Sequence, residues 1–181
     1  MIRNMLKTLV FVLLVTFTLA SCNNTSKKVD LTKGVAITNA QLYDYCQDTA
    51  KDGKRFSFIG YFSLQKDIQL DRNKTVNLNV YTAPEGKGTL ISQLMLDFGK
   101  AANAFYAPEE FTLADLKVFD NNGKPLSYHD KIQFSFTLDL LTSQARKKMF
   151  YFTKDAKGFP EKHEVYAYPF VCKDIRIDKA N

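Results

Sequence analysis

Residues 56–64 have the sequence Phe-Ser-Phe-Ile-Gly-Tyr-Phe-Ser-Leu. Phe56, Phe58, Gly60, Phe62 and Leu64 alternate with the residues between them. Successive side chains of a β-strand point to opposite faces, so this period of two predicts a strand with one buried face.

The same alternation recurs along the chain. It predicts further long strands at 76–81, 90–98 and 132–140. Shorter candidate strands lie at 116–119, 149–153, 165–171 and 175–177, and Pro169 is expected at a strand edge or bulge. Asn122-Gly123 between two short apolar runs is a strong hairpin signal. Half-buried antiparallel strands are typical of this pattern.

Helical signals are few. Thr38 and Gln41 have the spacing of a capping box, and Gly53 follows as a stop signal, which predicts one amphipathic helix over 39–51. Four alanines between 101 and 107 favour a short helix before Pro108. Thr112 is expected to cap a single turn that ends at Asp115.

These features resemble an oligonucleotide/oligosaccharide-binding (OB) fold over residues 54–177. Residues 58–62 are similar to its long, coiled first strand, in which a central glycine permits a bend. Residues 123–134 resemble the turn into its fourth strand, and 170–175 resemble its closing strand. The long connection 99–130 and the extra strand at 149–153 depart from the pattern. The predicted class is mostly β with one N-terminal α-helix, arranged as a small OB-like antiparallel barrel, with a lipocalin-like barrel or a β-sandwich as alternatives.

The first 22 residues form a secretory signal. Arg3 and Lys7 precede an uncharged stretch from Leu9 to Leu19, which is shorter than the roughly 20 apolar residues of a spanning helix. Residues 19–22 read Leu-Ala-Ser-Cys and resemble the lipobox of bacterial lipoproteins. The resemblance implies a cleaved signal peptide at 1–21, lipidation of Cys22, a flexible tether at 22–37 and a single domain at 38–181. An uncleaved anchor helix or an ordinary signal peptide is the alternative.

The lipoprotein resemblance also implies a location. Asn23, rather than Asp, follows the lipidated cysteine and indicates the outer membrane. The tether has no acidic residue before Asp30, which favours the periplasmic face over the cell surface. The membrane is then a partner through the N-terminal lipid.

Charge argues against nucleic acid as a partner. Arg3 and Lys7 are removed with the signal peptide, so the mature chain has 23 of the 25 basic residues and 19 acidic residues. Its net charge is therefore about +4. The electrostatic field of so small a positive charge gives little support to nucleic-acid binding.

Cys46 and Cys172 remain once Cys22 carries lipid. An oxidising compartment favours a disulfide between them, whereas two separately buried thiols are the other possibility. The sequence leaves this choice open.

Candidate binding residues are aromatic. Tyrosines opposite the apolar faces are expected to stack on a ligand or to pack within the sheets: Tyr61, Tyr81, Tyr151, Tyr166 and Tyr168. His129 and His163 have no other candidate ligands at the spacing of a zinc site and are expected at the surface. The sequence contains no recognisable catalytic motif, so it predicts no catalytic residue, cofactor or metal.

The sequence therefore predicts a lipid-anchored, non-enzymatic binding or assembly module of the cell envelope, with a protein or glycan partner. Two alternatives stand beside it. One is an envelope enzyme acting on glycan or peptide through converging acids, and the other is a barrel that carries an apolar ligand.

Overall fold

The computed structural model describes residues 31–64 and 75–181. The predicted signal peptide and Cys22 lie outside the described residues, and so do residues 22–30 of the predicted tether. Among the described residues, no helix combines the length and the hydrophobicity that crossing a bilayer requires.

The described residues form a mostly β structure with one α-helix, as predicted. The helix α1 spans Asn39–Tyr45, and short 3₁₀ helices lie at Thr49–Lys51 and Leu113–Asp115. The strands are β1 (Val35–Ala36), β2 (Arg55–Leu64), β3 (Thr75–Tyr81), β4 (Leu90–Asp97), β5 (Phe105–Tyr106), β6 (Lys117–Phe119), β7 (Pro125–Ser127), β8 (Ile132–Leu140), β9 (Lys147–Lys154), β10 (Pro160–Ala167) and β11 (Phe170–Lys179).

Strand β2 organises the main sheet, whose order is β11-β8-β2-β3-β4. Its first half pairs with β8 as far as Gly60, and its second half pairs with β3 from Tyr61 onward. A Cβ atom at Gly60 would lie 2.5 Å from the Tyr81 carbonyl oxygen. Only glycine therefore allows β2 to pass this close to β3 where it changes partner.

The main sheet is not a closed barrel in the described residues. Its end strands, β4 and β11, approach one another without a hydrogen-bonded ladder. Met95 of β4 and Phe170 and Cys172 of β11 line a small pocket. The prediction of antiparallel pairing is confirmed, whereas the predicted closure is wrong, because within the described residues no ladder joins β4 to β11.

Aromatic rings fill the core. Phe58, Phe62, Phe105, Phe134 and Phe136 are all completely buried. The rings of Phe58 and Phe136 lie 4.8 Å apart between centroids. Each such side chain contributes roughly 1.5–3 kcal/mol through burial, so the alternating face of β2 and β8 supplies much of the stability.

Helix α1 begins as predicted and ends earlier. Gln41 N donates to Thr38 Oγ1 over 3.2 Å, and Thr38 N donates to Gln41 Oε1 over 2.8 Å, which is the expected capping box. The α-helix stops after Tyr45, and the chain continues through a turn into the first 3₁₀ helix.

The connection from β4 to β8 contains a small sheet in the order β5-β6-β7. The helix predicted around 101–107 is wrong: the chain turns at Asn103, whose φ is +60°, and then forms β5. Phe119 N donates to Ala104 O, and Ala104 is buried. A helix this short gains little from alanine propensity, so long-range strand pairing prevails. The hairpin around Gly123 and the turn at 113–115 are confirmed.

Residues 31–37, the described part of the predicted tether, pack against the strands. β1 pairs in parallel with β2. Gly34 N donates to Ser135 Oγ over 3.0 Å, and Ile37 is buried. Residues 31–37, which the prediction placed in the tether, therefore pack with the domain, because contacts with distant strands hold them.

Candidate functional site

Two of the predicted tyrosines face each other in the main sheet. Tyr61 of β2 is the cross-strand partner of Tyr81 of β3. The Tyr81 hydroxyl accepts a hydrogen bond from Asn79 Nδ2 over 3.1 Å, and Asn79 Oδ1 accepts one from Gln93 Nε2 over 2.9 Å. These side chains form a polar network on the outer face of β3 and β4.

The other three tyrosines belong to the β9–β10 hairpin and the segment that follows it. Tyr151 lies between Tyr43 and His163, with centroid distances of 5.0 and 4.9 Å and nearly parallel planes. Both faces of the Tyr151 ring are therefore covered, which leaves its edge and hydroxyl for a ligand. Tyr166 is 58% exposed, and its cross-strand partner is Lys148.

Tyr168 lies beyond β10, and the Arg146 guanidinium lies 4.8 Å from the centre of its ring. The structure thus distributes the five tyrosines over the β2–β3 pair, the two faces of the hairpin and the segment after it. Ligand stacking by these residues stays a prediction.

The histidines have structural partners. His163 Nε2 lies 2.6 Å from Thr153 Oγ1, a diagonal contact across the hairpin. The His129 ring lies 3.9 Å from the Tyr128 ring. Across 31–64 and 75–181, no group of three or more His, Cys, Asp or Glu residues has an arrangement suited to a metal ion.

Cys46 and Cys172 are free thiols in the structure. Burial raises the pKa of each to about 12, and a weaker electrostatic contribution from Cys46 adds to that of Cys172. Thiols with so high a pKa are poor nucleophiles and poor metal ligands at neutral pH. The disulfide stays a prediction.

The most perturbed carboxyl group has a structural role. The pKa of Asp130 is lowered to about 2, first because Lys179 donates a hydrogen bond to it and second because Ser127 N does. Asp130 thereby holds the turn between β7 and β8 and ties it to the end of β11.

A cleft of about 550 Å³ lies between β4, helix α1 and β9. It is the candidate site. The residues that line it are Asn39, Tyr43, Thr89, Leu90, Ile91, Ser92, Gln93, Met149, Phe150, Tyr151, Phe152, Thr153, Lys154, Pro160 and Phe170. These are aromatic and aliphatic side chains with a few hydroxyl and amide groups, the usual lining of a binding pocket. Lys154 is the one charged residue among the described residues of the lining.

One acceptor in this lining has no donor. Asn39 Oδ1 is buried and makes no hydrogen bond. Asn39 is the first residue of α1, directly after the Thr38 cap. A buried acceptor without a donor costs roughly 1–3 kcal/mol. Because this oxygen is closed to solvent, it is not a contact for a ligand in the cleft.

Sequence reasoning found Tyr151 and missed the rest of the cleft. Phe150 and Phe152 are 39% and 48% exposed. Consecutive residues of β9 point to opposite faces of the strand, and both faces carry aromatic rings. This pattern is the signal in the sequence that could have indicated the cleft. Asn39, Leu90 and Ile91 carried no signal, because only the fold brings them to β9.

No protein-family model, curated protein or solved structure matches this chain significantly. A function for this chain therefore has to be inferred from the residues and geometry described above.

Proposed function

We propose that this protein is a non-enzymatic binding module, anchored by lipid on Cys22 to the periplasmic face of the outer membrane. Its cleft between β4, α1 and β9 receives a segment of a protein or glycan partner. The lipid confines the domain to the membrane surface, where a raised local concentration makes even a weak site effective.

The composition of the cleft is the observation that carries this proposal. A volume of about 550 Å³ lies in the range of ligand pockets, and its walls combine apolar rings with uncharged hydrogen-bonding groups. Such a lining recognises a ligand by shape, stacking and hydrogen bonds.

The enzyme alternative expects carboxyl groups that converge in a cleft and have shifted pKa values. The described lining of this cleft contains no Asp, Glu, His or Cys. The carboxyl group with the pKa of about 2, Asp130, is bound to Lys179 and Ser127 instead. These observations favour binding over acid–base chemistry at this site.

The carrier alternative expects a hollow interior. The interior is instead occupied by phenylalanine rings, among them Phe58, Phe134 and Phe136. An apolar ligand would have to displace these rings, at a cost of several kcal/mol for each.

Photo-crosslinking from the cleft tests the proposal. Leu90 is 41% exposed in the cleft wall, and Phe111 is 37% exposed and does not line the cleft. With p-benzoylphenylalanine at Leu90, we expect a discrete adduct in intact cells that is absent with the same residue at Phe111. Protease or glycosidase digestion of the adduct identifies its class. Identical adducts from both positions, or none from Leu90, would refute the proposal.

A further inference from the structure

The cleft is bounded by the edges of two strands. Residues 90–93 of β4 and all residues from Met149 to Lys154 of β9 line it. Because consecutive side chains of a strand point to opposite faces, an unbroken run of residues lines a cleft only along the strand's edge. We propose that the ligand is an extended, acidic peptide segment of a partner protein, which adds to these edges as a β-strand. This inference rests on the proposed function and specifies its ligand.

Within 31–64 and 75–181, β9 pairs only with β10, so its other edge is available for such pairing. Asp155 N donates to Phe159 O at the hairpin turn, so these two residues are a hydrogen-bonded pair of the β9–β10 ladder. Hydrogen-bonded and non-hydrogen-bonded pairs alternate along an antiparallel ladder, so the main-chain N–H and C=O groups of Thr153 and Tyr151 bond to β10. The peptide groups of Phe150 and Phe152 then point away from β10, toward the cleft.

Strand β4 offers the facing edge. It ends the order of the main sheet and pairs on its inner side with β3. No strand within 31–64 or 75–181 pairs with its outer side. Unpaired edges of this kind accept an added strand, and main-chain hydrogen bonds then supply the affinity.

The side chains of the cleft define the chemistry of the peptide. Tyr43, Ile91 and Phe170 offer an apolar surface to every second residue of an added strand. Lys154 lies at one end of the part of β9 that lines the cleft, and the described residues of the lining include no carboxylate to neutralise it. An acidic residue near one end of the peptide is therefore complementary to Lys154.

A glycan fits these edges less well, because it lacks the regular alternation of N–H and C=O groups that two strand edges require. A glycan, or a second copy of this chain paired through β4 or β9, is an outcome that the test below separates.

The test uses the full mature chain in detergent. The probe is a synthetic library of acetylated octapeptides with Val, Ile, Leu or Phe at alternate positions and Glu at either end. We expect members to bind, as measured by fluorescence anisotropy. Methylation of alternate backbone nitrogens, those that face one of the two strands, should raise the Kd of the best binder roughly tenfold or more, because each methyl group removes a hydrogen-bond donor.

A matched pair of lysine variants tests the charge. Lys154→Glu should weaken the best binder about two- to fivefold, as expected for an exposed charge pair. Lys157→Glu is the control, because Lys157 is exposed in the adjacent β9–β10 turn and does not line the cleft. Circular dichroism confirms that both variants are folded.

The inference is overturned if no library member binds, if N-methylation leaves the Kd unchanged, or if both lysine variants behave alike. The crosslink from Leu90 keeps the two proposals distinct. An adduct to glycan or to a second copy would refute the peptide and retain the binding module, whereas no adduct would refute the module itself.

Discussion

Replacing Gly60 with alanine tests how β2 pairs with β8 in its first half and with β3 in its second half. A Cβ atom at this position would lie 2.5 Å from Tyr81 O, 2.9 Å from Val80 Cγ1 and 3.0 Å from Ile91 Cδ1. The nearest of these atoms belongs to the backbone of β3, so a rotamer change cannot relieve the overlap. Ordinary contact begins at 3.4 Å, and β2 and β3 would have to separate locally by about 0.9 Å.

The size of the effect follows from two destabilising contributions and one stabilising contribution. Overpacking a filled interior costs roughly 1–3 kcal/mol, and a strained ladder loses part of the 0.5–1.5 kcal/mol of each hydrogen bond. Replacing glycine by alanine recovers about 0.4–1 kcal/mol, because the unfolded chain becomes less flexible. We therefore expect Gly60→Ala to lower the free energy of unfolding by about 2 kcal/mol, or Tm by roughly 4–8 °C.

Urea unfolding followed by far-UV circular dichroism measures this difference. Gly123→Ala is the control, because a Cβ atom there meets nothing within 4 Å and the only cost is a φ of +77°. That cost is about 1–2 kcal/mol, less the same gain of about 0.4–1 kcal/mol from the stiffer unfolded chain. Gly60→Val should be more destabilised than Gly60→Ala. The reasoning fails if Gly60→Ala is as stable as the wild type, or if it loses less stability than Gly123→Ala.

Three further predictions concern titration, reactivity and anchoring. The pKa of Asp130 is lowered to about 2 from 3.8, mainly by Lys179, so its stabilising effect is complete above pH ~4 and is lost as the pH falls toward 2. Asp130→Asn should be less stable than the wild type in urea at pH 7 and nearly equal to it at pH 2; a difference that does not change with pH contradicts this. Cys46 and Cys172, with pKa values of about 12, should resist iodoacetamide at pH 8 until urea unfolds the chain, since about one thiol in 10⁴ is ionised. Rapid alkylation of the native protein would show that these thiols are not buried, and resistance in urea without a reductant would reveal a disulfide. Cys22→Ser should release the protein from membranes in a fractionation experiment, and retention after signal cleavage would exclude the lipid anchor.

The long strands were predictable because their side chains alternate. The even-numbered residues of β2 from Phe56 to Phe62 face the core, as the period of two requires. The capping box at Thr38 likewise identified the start of α1, since its two hydrogen bonds are local.

Long-range contacts account for what was missed. Residues 31–37 precede the first helix cap that the sequence shows, yet Gly34 N donates to Ser135 Oγ, 101 positions further along the chain. Ala104 favours a helix locally and is buried in a small sheet instead. The cleft escaped notice because Asn39, Leu90 and Phe152 lie far apart in the sequence.

The sequence by itself determined the strand periodicity, the helix cap and the turns, because each depends on residues within a few positions of one another. The signal before Cys22 stays a prediction of the same local kind. The tertiary structure decided that the main sheet stays open, that Tyr151 is covered on both faces and that two strand edges face one cleft. Strand edges and clefts form where segments distant in sequence come together. Hydrophobic burial and backbone pairing fix these contacts only when the whole chain has folded.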